Sequence, residues 1–150
     1  MPFIGPAIVA LLLAVLPGCG VRNAPAYYQV ETTKPYDDVL AELEVAITER
    51  NFRITGHNHI GSVIREREKI DFPDYDTIQF CNLTLARQML EISPAAVVYM
   101  PCNIAVRSEN GRVIIATHLL PVDPSNEKLN EFARTMNERL RQIVDFAAEN

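Results

Sequence analysis

Residues 95–120, AAVVYMPCNIAVRSENGRVIIATHLL, carry the clearest fold signal in this chain. The run 95–108 is rich in β-branched residues but contains Pro101, which predicts a strand that bulges there or lies at a sheet edge. Asn110-Gly111 predicts a tight hairpin, because a type I′ turn needs two residues that tolerate positive φ. Arg112–Leu120 is apolar on both faces, so we expect a strand in the interior of the sheet.

Segments typical of strands and helices alternate before this hairpin. Tyr27–Thr32 is aromatic and β-branched, Phe52–Ile60 alternates apolar and polar residues, and Tyr75–Cys81 has strand composition. The intervening segments predict three helices. The first helix opens at Pro35, and its buried residues are predicted to be Tyr36, Val39, Leu40, Leu43 and Ile47. The second helix runs from a Ser62 cap through Lys69 and turns Val63 and Ile64 to the core. The third helix runs from Leu83 to Glu91 and is capped by Asn82.

After the hairpin, Asp123 and Pro124 predict the start of a long final helix. Its apolar residues keep helical spacing for about five turns: Leu129, Phe132, Ala133, Met136, Leu140, Ile143, Val144 and Ala147. The order β-α-β-α-β-α-β-β-α predicts one α+β domain over residues 27–149. We expect an antiparallel or mixed sheet of about five strands, with the final helix packed across it.

Length and charge exclude several classes of protein. With 150 residues, 48% of them apolar, the chain is long enough for one domain and too apolar to be disordered. Fourteen Lys and Arg against nineteen Asp and Glu leave a net charge of −5, which disfavours a nucleic-acid partner. Three cysteines are too few for a disulfide-rich scaffold.

The N-terminal segment is predicted to lie outside the folded domain. Ala7–Leu16 is an unbroken run of ten apolar residues, and Arg22 is the first charged side chain. A helix that spans a bilayer needs about 20 apolar residues, whereas ten suit the central region of a secretory signal. Residues 1–18 are therefore predicted to be a signal peptide.

Leu16-Pro17-Gly18-Cys19 resembles the bacterial lipobox, in which the cysteine is acylated and the signal is cut before it. This resemblance implies a palmitate-bearing lipoprotein anchored to the bilayer through Cys19, with residues 19–26 as the tether. Gly20 is similar to the residue found in lipoproteins sorted to the outer membrane, so the expected location is its periplasmic face. The alternative is an ordinary cleaved signal, with Cys19 as an unmodified thiol.

Two short motifs resemble those of the domain of unknown function 302 family. They are Phe80-Cys81-Asn82 at the head of a helix and Met100-Pro101-Cys102-Asn103 in a strand. Together with the hairpin and the long final helix, the likeness covers residues 27–147. It implies a small α+β domain with a TATA-binding-protein-like fold, often a homodimer, and it implies no reaction.

Cys81 and Cys102 are the main candidates for a functional site. Cys81 lies where a strand meets a helix N-terminus, a position that favours a thiolate. Cys102 follows twenty-one residues later, and the two sulfurs meet if their strands are neighbours. Three interpretations stay open: a structural disulfide, a redox or metal-binding pair, or two small buried side chains.

His57 and His59 are weaker candidates for metal ligands. Strand periodicity puts both on one face, about 7 Å apart along the strand, where they can bind one Zn or Cu ion. Since Arg53 and Thr55 share that face by simple alternation, we expect it to be solvated and both histidines to be exposed.

No catalytic residue or cofactor is predicted. The sequence contains no Cys-x-x-Cys motif, nucleophile elbow or glycine-rich phosphate loop. It favours a membrane-anchored binding or interaction module of the cell envelope over an enzyme. The alternative is a thiol-redox or metal-binding protein that uses Cys81 and Cys102.

Overall fold

The computed structural model describes residues 27–122 and 125–149. Its five strands are β1 (Tyr27–Thr32), β2 (Arg53–His59), β3 (Tyr75–Cys81), β4 (Cys102–Glu109) and β5 (Arg112–His118). Its helices are α1 (Tyr36–Glu49), α2 (Ile60–Glu68), α3 (Leu83–Ile92) and α4 (Glu127–Ala148), with a 3₁₀ helix at Pro94–Tyr99. The strands form one antiparallel sheet in the order β1-β5-β4-β3-β2, which confirms the predicted α+β class.

The predicted hairpin joins β4 to β5. Asn110 and Gly111 have φ values of 52° and 75°, the left-handed conformation that a type I′ turn requires. Glu109 pairs with Arg112 at the end of the ladder. β5 lies between β1 and β4, and its residues 113–115 are all buried, as expected for an interior strand.

The core lies between one face of the sheet and the helices α1 and α4. Leu43 and Ile47 of α1 and Leu140 and Ile143 of α4 are almost completely buried against strand residues such as Ile104. The predicted stripe on α4 is confirmed from Ala133 to Ala147, while Leu129 and Phe132 are half-buried. None of the helices in the described part of the chain is both long and apolar enough to cross a membrane.

Three predicted boundaries are wrong. The first half of the run 95–108 forms the 3₁₀ helix, because Pro94 suits the first helical position and Ala96 is buried. α2 begins at Ile60, so Ser62 lies inside the helix, where its hydroxyl donates to the carbonyl of His59, the residue just before the helix, and Val63 is exposed. α4 begins at Glu127, where Asn126 caps it by accepting the Leu129 N–H.

A β-bulge in β2 overturns the expected face of the two histidines. Ile54 pairs with Phe80, but Gly56 pairs with Gln79, so β2 has one extra residue at this point. Beyond the bulge, His57 lies opposite Ile78 and His59 opposite Asp76. Because Ile78 and Asp76 point to the core face, both histidines point there as well, and not to the face of Arg53 as predicted.

Candidate functional site

The structure brings Cys81 and Cys102 to one small apolar cavity. Cys81 ends β3 and Cys102 begins β4, and both half-buried thiols line a space of about 30 Å³. Apolar side chains supply most of the remaining lining: Phe52, Leu85, Met89, Met100, Leu120, Phe132 and Met136. Five sulfur-bearing side chains therefore border this cavity, which we call the sulfur-lined cavity.

The two cysteines have different surroundings. Cys102 lies opposite Phe80 on the core face of the sheet, and burial raises the pKa of its thiol to about 11, with a smaller contribution from Cys81. Both cysteines are free thiols. At neutral pH, the Cys102 side chain is thus a protonated, weakly polar group that suits packing better than nucleophilic attack.

Asn82 occupies the helix N-terminus beside Cys81. Its side-chain oxygen accepts the Leu85 N–H at 3.0 Å, which confirms the predicted cap of α3. Its amide nitrogen donates to the Asn51 carbonyl at 2.7 Å and so ties the start of α3 to the loop before β2. Asn82 therefore uses one of the N–H groups that would otherwise stabilise a thiolate at Cys81.

A larger groove lies between α3 and α4. It has a volume of about 850 Å³ and shares Leu85, Phe132 and Met136 with the sulfur-lined cavity. Together with Ile92, these three side chains form the apolar part of the groove, and all four are buried or half-buried. Exposed polar and charged side chains surround that part: Gln88, Glu91, Lys128, Glu131 and Thr135. The groove therefore has an apolar interior and a polar, charged rim.

His57, His59 and Asp76 form a third feature, at the edge of the sheet. The Asp76 Oδ1 atom lies 3.1 Å from His57 Nε2 and 2.5 Å from His59 Nδ1. The two imidazole rings are 4.1 Å apart between centroids. Asp76 is 7% exposed, and among the described residues its carboxylate contacts these two rings and the Tyr36 hydroxyl.

Residues of α1 surround this cluster. The Tyr36 hydroxyl lies 2.8 Å from Asp76 Oδ2 and 3.1 Å from the Val106 carbonyl oxygen. Burial and the Asp76 carboxylate raise the pKa of Tyr36, so its hydroxyl stays protonated and donates. Glu44 places a carboxylate oxygen 3.6 Å from His57 Nδ1, on the side of the ring away from Asp76.

Sequence reasoning identified both cysteines and both histidines but missed Asp76 and Tyr36. Asp76 had a signal in the sequence, since it alternates with Ile78 and Phe80 and therefore occupies a core-facing strand position. A carboxylate at such a position needs partners, because an unpaired buried charge is costly. Cys19 and the rest of the predicted signal and tether, residues 1–26, lie outside the described residues.

Comparison with known proteins supports the fold. The family model described as "Domain of unknown function DUF302" matches residues 28–147. Among solved structures, the chain is similar to an uncharacterized conserved DUF302 protein from Bacillus stearothermophilus, with a TM-score of 0.72 and 22% identity. The match covers 83% of this chain and 99% of the other, and at this identity it shows the fold alone. No curated protein matches the sequence.

Proposed function

This chain belongs to the DUF302 family, whose description assigns no activity, and we propose that it is a lipid-anchored domain of the cell envelope that binds an amphipathic small molecule. The observation that carries this proposal is the groove between α3 and α4. Its volume of about 850 Å³ suits a small molecule, since ligand sites usually measure about 300–1,000 Å³. Its apolar depth and charged rim suit a ligand with an apolar body and a polar end.

The position of the groove beside the thiols favours ligand binding over self-association. A flat apolar patch would favour contact with a second copy, whereas this surface is concave and continues to the sulfur-lined cavity through shared side chains. Apolar side chains are also exposed nearby, on the 3₁₀ helix at Val97 and Val98 and at the start of α3 at Leu83. The homodimer implied by the family resemblance stays a prediction.

Filling the groove is expected to weaken binding of an apolar probe. Thr135 lines the groove from α4 and is exposed, so Thr135→Trp places an indole in the binding space without a change in the core. We expect the full chain to bind the dye 1-anilinonaphthalene-8-sulfonate, with a loss of at least about tenfold in affinity for the variant, about 1.4 kcal/mol. Fluorescence titration measures both affinities.

Arg134→Trp is the matched control for this experiment. Arg134 is the preceding residue on α4, is exposed, and does not line the groove. The control should bind the dye like the wild type, and circular dichroism should show that all three chains are folded. Equal affinity in the two tryptophan variants would contradict the proposed groove.

Anchoring is expected to depend on Cys19. In the proposed lipoprotein, several acyl chains on one residue make a stable anchor, at about 0.8 kcal/mol for each buried methylene group. The wild-type chain should partition with membranes, while Cys19→Ser should lose its lipid and its processing, as measured by fractionation and intact-mass spectrometry. Release of both forms into the soluble fraction in equal amounts would contradict the anchor.

A second candidate function is thiol or metal chemistry at Cys81 and Cys102. The specific observation that favours it is that both thiols line the same cavity, together with Met89, Met100 and Met136. Thiol and thioether ligands prefer soft ions such as Cu(I). The raised pKa of Cys102 opposes a reactive pair at neutral pH, so ligand binding stays our first proposal.

A further inference from the structure

The β-bulge in β2 brings together a cluster of side chains that belongs neither to the groove between α3 and α4 nor to the sulfur-lined cavity. By inserting Thr55, it turns His57 and His59 to the face that carries the buried carboxylate of Asp76. The chain then enters α2 directly after His59. Bulges are often found where a strand must redirect side chains next to a functional site.

Gly61 holds the start of α2 close to β3, beside this cluster. A Cβ atom at Gly61 would lie 2.4 Å from the Pro73 carbonyl oxygen and 2.7 Å from the Tyr75 backbone nitrogen. Only glycine therefore allows this approach. Since Gly61 follows His59 by two residues and Tyr75 precedes Asp76, the contact fixes the backbone on both sides of the cluster.

The donor atoms of the cluster are those that late first-row divalent ions prefer. Imidazole nitrogens and a carboxylate oxygen are common ligands of Zn²⁺, and two histidines with one carboxylate form a recurring three-ligand set. One donor atom from each of His57, His59 and Asp76 lies within 4.8 Å of the others. Ligands of a single tetrahedral Zn²⁺ ion lie roughly 3.3 Å apart, so small side-chain rotations suffice.

The surrounding groups match the outer shell of such a site. The Tyr36 hydroxyl contacts Asp76 Oδ2. This contact leaves Oδ1, the oxygen that faces both rings, available to bind a metal ion. Glu44 lies on the Nδ1 side of His57, where its carboxylate favours a proton on Nδ1 and a free electron pair on Nε2. The side chain of His59 is 56% exposed, so an ion can reach the site from solvent.

From this arrangement we propose that His57, His59 and Asp76 bind one late first-row divalent metal ion of the Zn²⁺ class. Tyr36 and Glu44 act as positioning residues that orient the carboxylate and the His57 ring. Binding replaces the contacts between the two rings and Asp76 Oδ1. The exposed side of the site is open to water or a further ligand.

The test is a titration of the full chain with Zn²⁺ and Co²⁺ in a background without thiols. Replacing Cys19, Cys81 and Cys102 by serine removes all three cysteines, so that sulfur cannot supply the ligands. We expect one Zn²⁺ ion per chain by isothermal titration calorimetry after treatment with a chelator. Co²⁺ should give visible absorption bands that disappear when Zn²⁺ displaces it. These bands measure the coordination of the ion independently of the calorimetric signal.

Ligand variants then identify the site. His59→Gln and Asp76→Asn should weaken Zn²⁺ binding by at least about 100-fold, and Tyr36→Phe by about 10–100-fold, as is usual for outer-shell partners. His118→Gln is the matched control, because His118 is an exposed histidine of β5 outside the cluster. It should bind Zn²⁺ like the parent.

Asp76 is buried, so Asp76→Asn can affect folding as well as metal binding. His59 is exposed, so His59→Gln should have little effect on the core and is the decisive variant. Unchanged affinity and unchanged Co²⁺ absorption in a folded His59→Gln variant would overturn the proposal. So would an equal loss of affinity in His118→Gln, or no measurable Zn²⁺ binding to the parent without thiols.

Discussion

Replacement of Leu140 by alanine is expected to lower the free energy of unfolding by about 2–5 kcal/mol. Leu140 is 2% exposed and lies in the core cluster, on the buried stripe of α4. Removing its branched end takes away apolar contacts and leaves a cavity that close-packed neighbours fill only in part. Urea unfolding of the wild type and the variant, followed by circular dichroism, measures the difference.

Arg134→Ala is the matched control on the same helix. Arg134 is exposed, so its loss should change stability by less than about 0.5 kcal/mol. Arg141 is a poorer control, although it is adjacent to Leu140, because its guanidinium lies 4.4 Å from the centre of the Tyr28 ring. Similar losses for Leu140→Ala and Arg134→Ala would show that the buried face of α4 is assigned wrongly.

Cys81 is expected to alkylate much faster than Cys102. Burial raises the pKa of Cys102 from 9.0 to about 11, so at pH 8 it carries roughly a hundredfold less thiolate than a thiol of ordinary pKa. Its rate should rise about tenfold for each pH unit up to that pKa, because only the thiolate attacks. Iodoacetamide labelling of the single variants Cys81→Ser and Cys102→Ser, followed by mass spectrometry, measures each rate separately.

The labelling pattern of the wild-type chain decides between the three interpretations of these cysteines. Labelling only after reduction would indicate a disulfide and would contradict the free thiols of the structure. Labelling of Cys81 in the native chain at a higher rate than a free cysteine shows at the same pH would indicate a reactive site. If both thiols react only after denaturation, they are packing residues and the thiol function should be abandoned. Faster labelling of Cys102 than of Cys81 would contradict the effect of burial described above.

Features that depend on a few neighbouring residues were predictable from the sequence. Asn110-Gly111 indicated the hairpin, because positive φ at both positions is a property of the two residues themselves. Asn82 was identified as the cap of α3 for a similarly local reason. The periodic apolar residues of α4 predicted its buried face, since helical spacing alone places Met136 and Leu140 on one side.

Features that depend on pairing between distant segments were not predictable in this way. Simple alternation along β2 correctly put His57 and His59 on one face but chose the wrong face. The bulge exists only in the register of β2 against β3, where Ile54 pairs with Phe80 and Gly56 with Gln79. One extra residue reverses every later side chain in a strand, so the face of the histidines follows from the tertiary structure.

The candidate sites show the same difference between local features and features that depend on distant segments. Residue types and spacing were enough to select the two cysteines and the two histidines, because their chemistry is intrinsic to their side chains. Their partners come from elsewhere in the chain: Asp76 from β3, Tyr36 and Glu44 from α1, and the methionines from α3, the segment before β4, and α4. Contacts between residues so far apart in sequence depend on how helices pack on the sheet. Local sequence patterns indicate which face of an element is buried, but they do not specify which residues of distant segments meet there.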